Sequence, residues 1–494
     1  MEDNSEQKSN TCKENDFTGV YEDLRKHGVC KICAYRFLCS SELKLRLDEF
    51  LENNGYEKDS TSVPKMSKEN SCIICLGLFE NKVLEDVVKQ ILKQTSRTNY
   101  DCDTYMLALV LPASCKLREQ STFVYLKSKF PALYKECPYA PRLGLKESWR
   151  FYCCSAISKT IEKNLDVNSP LMIQITFSYA GDCKDFRNIS KIVKGKMNLA
   201  AALKLLDDSD FSRLYPFPME VPDDCVHVAS VDIKRDSIFF AGRYNKFSRE
   251  LSQTPWILSD GERKMELSVE EIISEKLKTI MKAEDSRFSS SGREDVDVRT
   301  LGTGRPFAVE LINPRISNVS FHDIRNVENK INEDGKNLIS IRHLQIVDRS
   351  EMISLKQGEE HKTKDYCCVC IVKKVCDIDD LKKMLPSTPL TLLQKTPIRV
   401  LHRRTVATRP KIIHELTLEG VNVPSPQGST VFKINLKTEA GTYIKEFVHG
   451  DFGRTQPNLS AILGDIPIDV LALDVTNVEV DWPPKINYLQ ESLP

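Results

Sequence analysis

The sequence has no surplus of charge: its 494 residues set 70 lysines and arginines against 70 aspartates and glutamates. No global field draws it toward a polyanion, so any nucleic-acid surface must come from local clustering of cations. It also lacks an apolar run approaching the roughly 18 residues that cross a bilayer, which argues against a membrane protein. The opening MEDNSEQKSNTCKEND is polar and acid-rich, unlike a secretory leader or an arginine-rich presequence, and an intracellular location in nucleus and/or cytoplasm is expected. No internal repeat is visible. No His-x-Glu accompanies the cysteine pairs, which disfavours a zinc deaminase.

Cysteine, by contrast, is abundant. The 17 present read as buried thiols and metal ligands of a reducing compartment, not as a disulfide framework. Cys30-Lys-Ile-Cys33 and Cys72-Ile-Ile-Cys75 form two knuckles, the arrangement tetrahedral zinc takes from two turns that each present two thiolates. One structural Zn²⁺ is expected there, since four protein ligands leave no open position for water or substrate. His27 and Cys39 stand as alternative ligands. Cys367, Cys368 and Cys370, in an apolar strand, and the pair Cys153-Cys154 read as small buried hydrophobes.

The length implies two to four domains. After the first knuckle, Leu43, Leu47, Phe50 and Leu51 mark a helix over Ser41 to Asn53. Beyond a polar linker and the second knuckle, Val83, Leu84, Val87, Val88, Ile91 and Leu92 mark another. Tyr105 to Leu111, Leu171 to Tyr179 and His227 to Ile233 read as strands of a small α+β domain. Ser268 with Glu271 is a capping-box signature, and Val269, Ile272, Ile273, Leu277 and Ile280 continue one helical face. Downstream, Phe307 to Ile312, Ile339 to Val347, Tyr366 to Val372, Ile398 to Leu401, Val431 to Leu436 and Val470 to Val480 read as strands of one large mixed sheet.

Two segments carry the chemistry. GREDVDVRTLGTGRPF, from Gly292 to Phe307, sets Glu294, Asp295 and Asp297 among Arg293, Arg299 and Arg305. Carboxylates beside arginines on flexible backbone can serve as nucleophile or acid/base groups, because each charge lowers the cost of desolvating the other. Residue types alone leave the three acids equally eligible. The second segment, TEAGTYIKEFVHGDFGRTQPN from Thr438 to Asn458, is again glycine-rich and charged, and the two suggest one composite site. Basic stretches interleaved with apolar residues offer a polyanion track: Arg243, Lys246 and Arg249 with Tyr244, Phe247 and Trp256, then Arg399, His402, Arg403, Arg404, Arg409 and Lys411.

Taken with KTKDY at Lys362 to Tyr366, RVLHRR at Arg399 to Arg404 and EVDWPP at Glu479 to Pro484, these segments resemble the archaeal and eukaryotic tRNA pseudouridine(54/55) synthase family, over roughly Ala241 to Pro484. The resemblance implies an isomerase that breaks the C1'–N1 bond of a uridine in the TΨC arm of tRNA, turns the flipped base and rejoins it through C5, with no cofactor for catalysis. It implies Asp295 as the catalytic carboxylate, with Asp297 its near competitor. Lys445 is implied as the counter-charge of Asp295, Tyr366 as the base-facing aromatic, and Tyr443 as a wall of the same pocket. Arg293, Arg243, Lys246, Arg403 and Arg404 complete the expected substrate contacts.

The expected fold is α+β: a pseudouridine synthase catalytic domain with a large mixed or antiparallel sheet, plus a zinc-knuckle, THUMP-like accessory domain. The expected divisions are a disordered N-terminus (1–25), a zinc-containing RNA-binding accessory domain (26–240), a basic/aromatic connector and helix (241–290), the catalytic domain (291–485) and a tail (486–494). A monomer is expected. The alternative reading is a non-catalytic zinc-containing factor that binds or processes RNA by contact alone.

Overall fold

The computed structural model describes residues 17–38, 47, 52, 71–95, 99–134, 143–190, 199–203, 205–355, 363–422 and 426–486. The expected helix over 41–53 lies outside these apart from Leu47 and Glu52, as do residues 1–16 and nearly all of the expected tail. The expected disorder of 1–25 is corrected in part. Residues 17–26 are helical, with Val20, Tyr21 and Leu24 buried, because those three share one helical face and can be covered.

The chain divides into two compact units, Met1–Arg235 and Asp236–Pro494. In the first, four strands run in the order β2-β1-β3-β4: β1 Thr104–Val110, β2 Asn164–Leu165, β3 Leu171–Ser178 and β4 His227–Arg235. β1 is parallel to both β2 and β3, and β3 is antiparallel to β4. Alternate residues of β3, Leu171, Ile173, Ile175 and Phe177, enter the core, as the two-residue period of a half-buried strand requires. Helices Asn81–Thr95, Ala113–Lys129 and Leu145–Ile161 contribute Val87, Phe123 and Trp149 to the same unit's interior.

The second unit is built on a ten-stranded sheet ordered β13-β10-β11-β12-β9-β14-β7-β5-β8, with β6 paired to β7. The strands are β5 Ile238–Lys246, β6 Asp285–Ser290, β7 Arg299–Ile312, β8 Ile339–Val347, β9 Lys364–Val372, β10 Leu390–Lys395, β11 Thr408–Gly420, β12 Thr430–Thr438, β13 Thr455–Gln456 and β14 Ile468–Val478. The expected connector 241–290 is corrected: β5 and β6 are strands of this sheet, and the unit begins at Asp236. Between them Val269–Met281 forms the expected helix, capped by the Ser268 hydroxyl, which accepts from the Glu271 amide. Helices Val269–Met281 and Phe321–Asp334 cover one face around Phe240, Tyr244, Phe307 and Leu311. The expected strand at 398–401 is instead a single 3-10 turn, Ile398–Val400. Pro397 precedes it and the Asp451 carboxylate accepts from the Ile398 amide, which satisfies the backbone locally and removes it from any ladder.

One edge of β7 is shared. Its last six residues pair with β6, whereas β14 pairs in parallel only at Asp474 with Arg299 and Val475 with Thr300. Between these pairings the ladder opens, and the loop joining β6 to β7 carries the charged segment. Gly302, at φ +56°, closes the near side of the opening: a Cβ there would lie 1.8 Å from the Thr476 carbonyl. Gly302→Ala is expected to lower stability by about 3 kcal/mol through this clash and the left-handed backbone, read as a shifted denaturant midpoint with unchanged slope.

Candidate active site

The loop between β6 and β7 is held from below by buried charge. Glu294 is inaccessible: the Tyr244 hydroxyl lies 2.9 Å from each of its oxygens, and the Arg305 guanidinium pairs with it at 2.8 Å. Gln253 donates to Tyr244 Oη, Ser290 Oγ and the Gly292 carbonyl at 2.8, 3.0 and 3.1 Å, while Arg305 Nη1 donates to the Ser291 carbonyl at 2.8 Å. Burial works against the Arg305 charge, but Glu294 outweighs it and holds the guanidinium above its ordinary value. Burial, then the Glu294 charge, push the Tyr244 phenol well above its own. Glu294 is thus committed to the scaffold, and two of the three candidate acids remain.

Lys246 anchors the loop's other end. Its fully buried ammonium donates to the carbonyls of Leu251, Asp295 and Val296 at 2.8, 3.1 and 2.8 Å. Burial pushes its pKa down to about 8, against the opposing pull of Glu294, Asp297 and Asp295. Lys246 and Arg243, expected as phosphate contacts, are therefore corrected. Arg243 is also buried, donating to carbonyls of Thr303, Gly304, Val478, Val480 and Trp482. Tyr244, expected to stack on a base, is buried over Glu294. Arg249 is likewise engaged, with Asp474 at 2.7 Å and the Asp297 carbonyl at 2.8 Å. Of that first basic and aromatic stretch, Phe247 and Trp256 face solvent.

Asp295 and Asp297 emerge above this scaffold, each with its own cation. Arg399 Nη1 lies 3.2 and 2.9 Å from the two oxygens of Asp295. Lys445 Nζ donates to Asp297 at 2.9 and 2.7 Å and stands 3.6 Å from Asp295. The expected pairing of Lys445 with Asp295 is present at 3.6 Å, but Arg399 holds that carboxylate more closely, at 2.9 Å, and Lys445 lies nearer Asp297. Burial raises the Asp297 pKa, but the hydrogen bond and charge of Lys445 outweigh it and leave the group below its usual range.

Arg399 is itself set by Glu446, a buried carboxylate that accepts from its Nε at 2.6 Å. Its guanidinium sits 5.8 Å from the centre of the Tyr443 ring, within cation–π range. Burial lowers its pKa, and Glu446 with Asp295 reverse the sign and raise it. Tyr443 caps the helix Ile444–His449, so the segment that supplies Lys445 also supplies the aromatic and the acid that orient Arg399. Tyr366 lies on β9 between β12 and β14, opposite Leu436 and Val475. Burial pushes its phenol up to about 12, so it stays protonated at neutral pH. Arg293, Arg403 and Arg404 are exposed. Glu446, and the direct role of Arg399, were missed in the sequence. The signal available was the adjacency of Glu446 to Lys445 within the glycine-rich segment.

In the first unit, Cys30, Cys33, Cys72 and Cys75 are buried with all four sulfurs within 4.8 Å of one another. Cys30 and Cys75 Sγ lie 3.8 Å apart, the edge of a tetrahedron with metal–sulfur bonds of about 2.3 Å. The Cys30 and Cys33 amides and Arg36 Nη1 donate to sulfurs of the set, as thiolates demand. The residues fit a closed zinc site. His27 takes no part: its ring packs on Tyr125 and Phe217, and Nδ1 lies 2.8 Å from the Asp23 carbonyl. Cys39 lies outside the described residues.

An aspartate at the opening of an α+β sheet, salt-bridged to an oriented arginine and held over a buried ionic scaffold, has the geometry that carboxylate chemistry would need. The family model for the Pus10 C-terminal region matches residues 239–479, and that for the eukaryotic Pus10 N-terminal region matches 72–233. The tRNA pseudouridine synthase Pus10 of Xenopus laevis is 34% identical over 96% of this chain and 99% of that protein. That of Homo sapiens is 36% identical over 90% and 87%, and that of Thermofilum pendens 35% identical over 51% and 54%. The chain belongs to the Pus10 family of tRNA pseudouridine synthases. A Cbf5-Nop10-Gar1 complex matches 48% of this chain and 48% of its own with 15% identity and a TM-score of 0.24, too low to support an argument.

The linkage Glu446–Arg399–Asp295 makes a graded expectation. Arg399→Ala should lower kcat about 100-fold, whereas Glu446→Gln, which keeps the contact but not the charge, should lower it about tenfold, with little change in KM. Steady-state kinetics decides, and wild-type kcat in both variants would refute the linkage.

Proposed function

We propose that the protein isomerises uridine to pseudouridine in the TΨC arm of tRNA, at position 54 and/or 55, with Asp295 as its reacting carboxylate. The observation that carries this reading is the position of Asp295 in a member of this family: above the Glu294–Arg305 pair, with Arg399 on both oxygens. That arginine fixes the direction of the carboxylate, which a nucleophile or a base at the ribose requires. The C1'–N1 bond breaks, the base turns, C1' bonds to C5, and the C5 proton leaves as N1 gains one. Nothing is oxidised or lost, so the isomerisation itself calls for no cofactor. Tyr366, neutral by its raised pKa, supplies a face for the flipped base, and Tyr443 a second wall. Arg293, Arg403 and Arg404 are exposed cations suited to the flanking phosphates, and stacking with charge neutralisation offsets an extrusion cost of a few kcal/mol.

The first unit is proposed as a THUMP-like RNA-binding accessory domain with one Zn²⁺ on Cys30, Cys33, Cys72 and Cys75. Bound there, the metal would tie the two knuckles together and serve as a structural staple. A monomer acting in nucleus and/or cytoplasm is the proposed setting. Among the described residues no helix is long and apolar enough to cross a membrane.

Asp295→Asn should abolish pseudouridine formation on a tRNA transcript while leaving RNA affinity nearly unchanged, and Asp297→Asn should retain measurable turnover. Base-resolution mapping of pseudouridine checks both, and full activity in the Asp295 variant would sink the assignment. Elemental analysis should find about one zinc per chain, lost when Cys72 and Cys75 are both replaced by serine. Undiminished metal in that double variant would refute the site.

A further inference from the structure

Arg243 and Tyr244 are neighbours on β5 and so point to opposite faces of the sheet. Tyr244 turns to Glu294 beneath the loop, and Arg243 turns to a cleft of about 730 Å³. Gly302 and Thr303 of β7, the bulge of β8 at Arg342 and His343, and the segment 477–485 form its walls. Asp295, Tyr366, Arg399, Tyr443 and Lys445 are absent from its lining, so it is distinct from the uridine site.

The cleft is built and cationic. Arg243 fixes the segment after β14 by donating to the carbonyls of Val478, Val480 and Trp482, so that wall is preformed. Its donors are spent, but its charge is not cancelled: carbonyls solvate a guanidinium without neutralising it. Arg342 donates to the Gly302 carbonyl, and among the described residues neither arginine forms an ion pair. The remaining donors of the Arg342 fork are available to a ligand. Lys485 adds a third, exposed cation at the rim. Of the acids present, Glu479 is engaged by Lys437 at 3.3 Å and by the Thr363 hydroxyl, while Asp481 offsets part of the Arg243 charge. The field is felt locally. Burial, then the charges of Arg342, Arg243, Lys485 and Arg325, hold the His343 ring below its ordinary pKa.

We propose that this cleft takes a phosphodiester of the substrate RNA, outside the pocket for the target uridine. Arg342 would supply the planar donor fork and Lys485 a flexible counter-charge. The cleft volume falls in the range of small-molecule sites and admits a sugar with its phosphate. The choice of RNA over a free phosphate compound rests on the proposed function.

The test is the affinity of the full chain for a tRNA transcript as a function of salt, with Arg342→Glu and Lys485→Glu combined. Affinity should fall at least about tenfold, and the slope of log K against log salt should flatten by about one per phosphate lost, with kcat at saturating RNA unchanged in a variant that circular dichroism shows to be folded. Arg342→Lys with Lys485→Arg should recover most of the affinity. Unchanged affinity and slope in a folded charge-reversal variant would overturn the proposal. So would calorimetric binding of pyrophosphate that the charge reversal abolishes while RNA binding stays intact, since the cleft would then serve a free anion. Cleft-dependent RNA binding by a wild type that forms no pseudouridine would refute the catalytic reading and leave the cleft standing.

Discussion

The short parallel pairing between β7 and β14 is the constraint on which the second unit depends. Where that ladder opens, backbone carbonyls lose their strand partners, and a buried carbonyl without a donor costs roughly 1–3 kcal/mol. Polar side chains of β5 and its flank, most of them basic, take over. Arg243 serves Thr303, Gly304, Val478, Val480 and Trp482; Asn245 reaches Thr300 and Gly302, each at 3.3 Å; Lys246 serves Leu251, Asp295 and Val296; Arg249 serves Asp297 and Leu473. A many-donor cation suits this task because one side chain satisfies several carbonyls that diverge from one another. The opening thereby becomes a rigid frame, and the loop crossing it is pinned at the backbone of Asp295 itself.

Much of this architecture was legible in the sequence. β3, β4, β8, β9 and β12 follow from alternation and β-branched content, and the helix Val269–Met281 from its cap and apolar face, because these signals are local. β5 was not legible. Its Gly-Arg-Tyr-Asn-Lys reads as an RNA track, since all but one of the acceptors that bury those cations belong to residues some 50 to more than 230 positions away. Charge in a sequence does not reveal whether its partner is solvent, phosphate or carbonyl. The same limit governed Asp295: resemblance singled out the aspartate, but its arginine comes from a turn 104 positions downstream that patterning assigned to a strand. The four cysteines were legible as a set because knuckle spacing is itself the geometry.

The three acids of the loop divide their work through depth. Glu294 lies deepest, where an unpaired carboxylate would be prohibitive, and a guanidinium with a tyrosine hydroxyl matches it. Asp297 is the most exposed and takes the flexible ammonium of Lys445. Asp295 lies between, with a side chain about one-third exposed, and takes the planar guanidinium of Arg399 fixed from behind by Glu446. A lysine on Asp295 would supply charge without direction, because an ammonium on a four-carbon stem can follow either carboxylate. The Arg399–Glu446 pair supplies both, as a guanidinium clamped at Nε cannot rotate away from the oxygens at Nη1. Lys445, 3.6 Å from Asp295 and closer to Asp297, then screens the neighbouring negative charge from Asp295. Two cations on two neighbouring carboxylates, only one of them oriented, leave a single acid aimed.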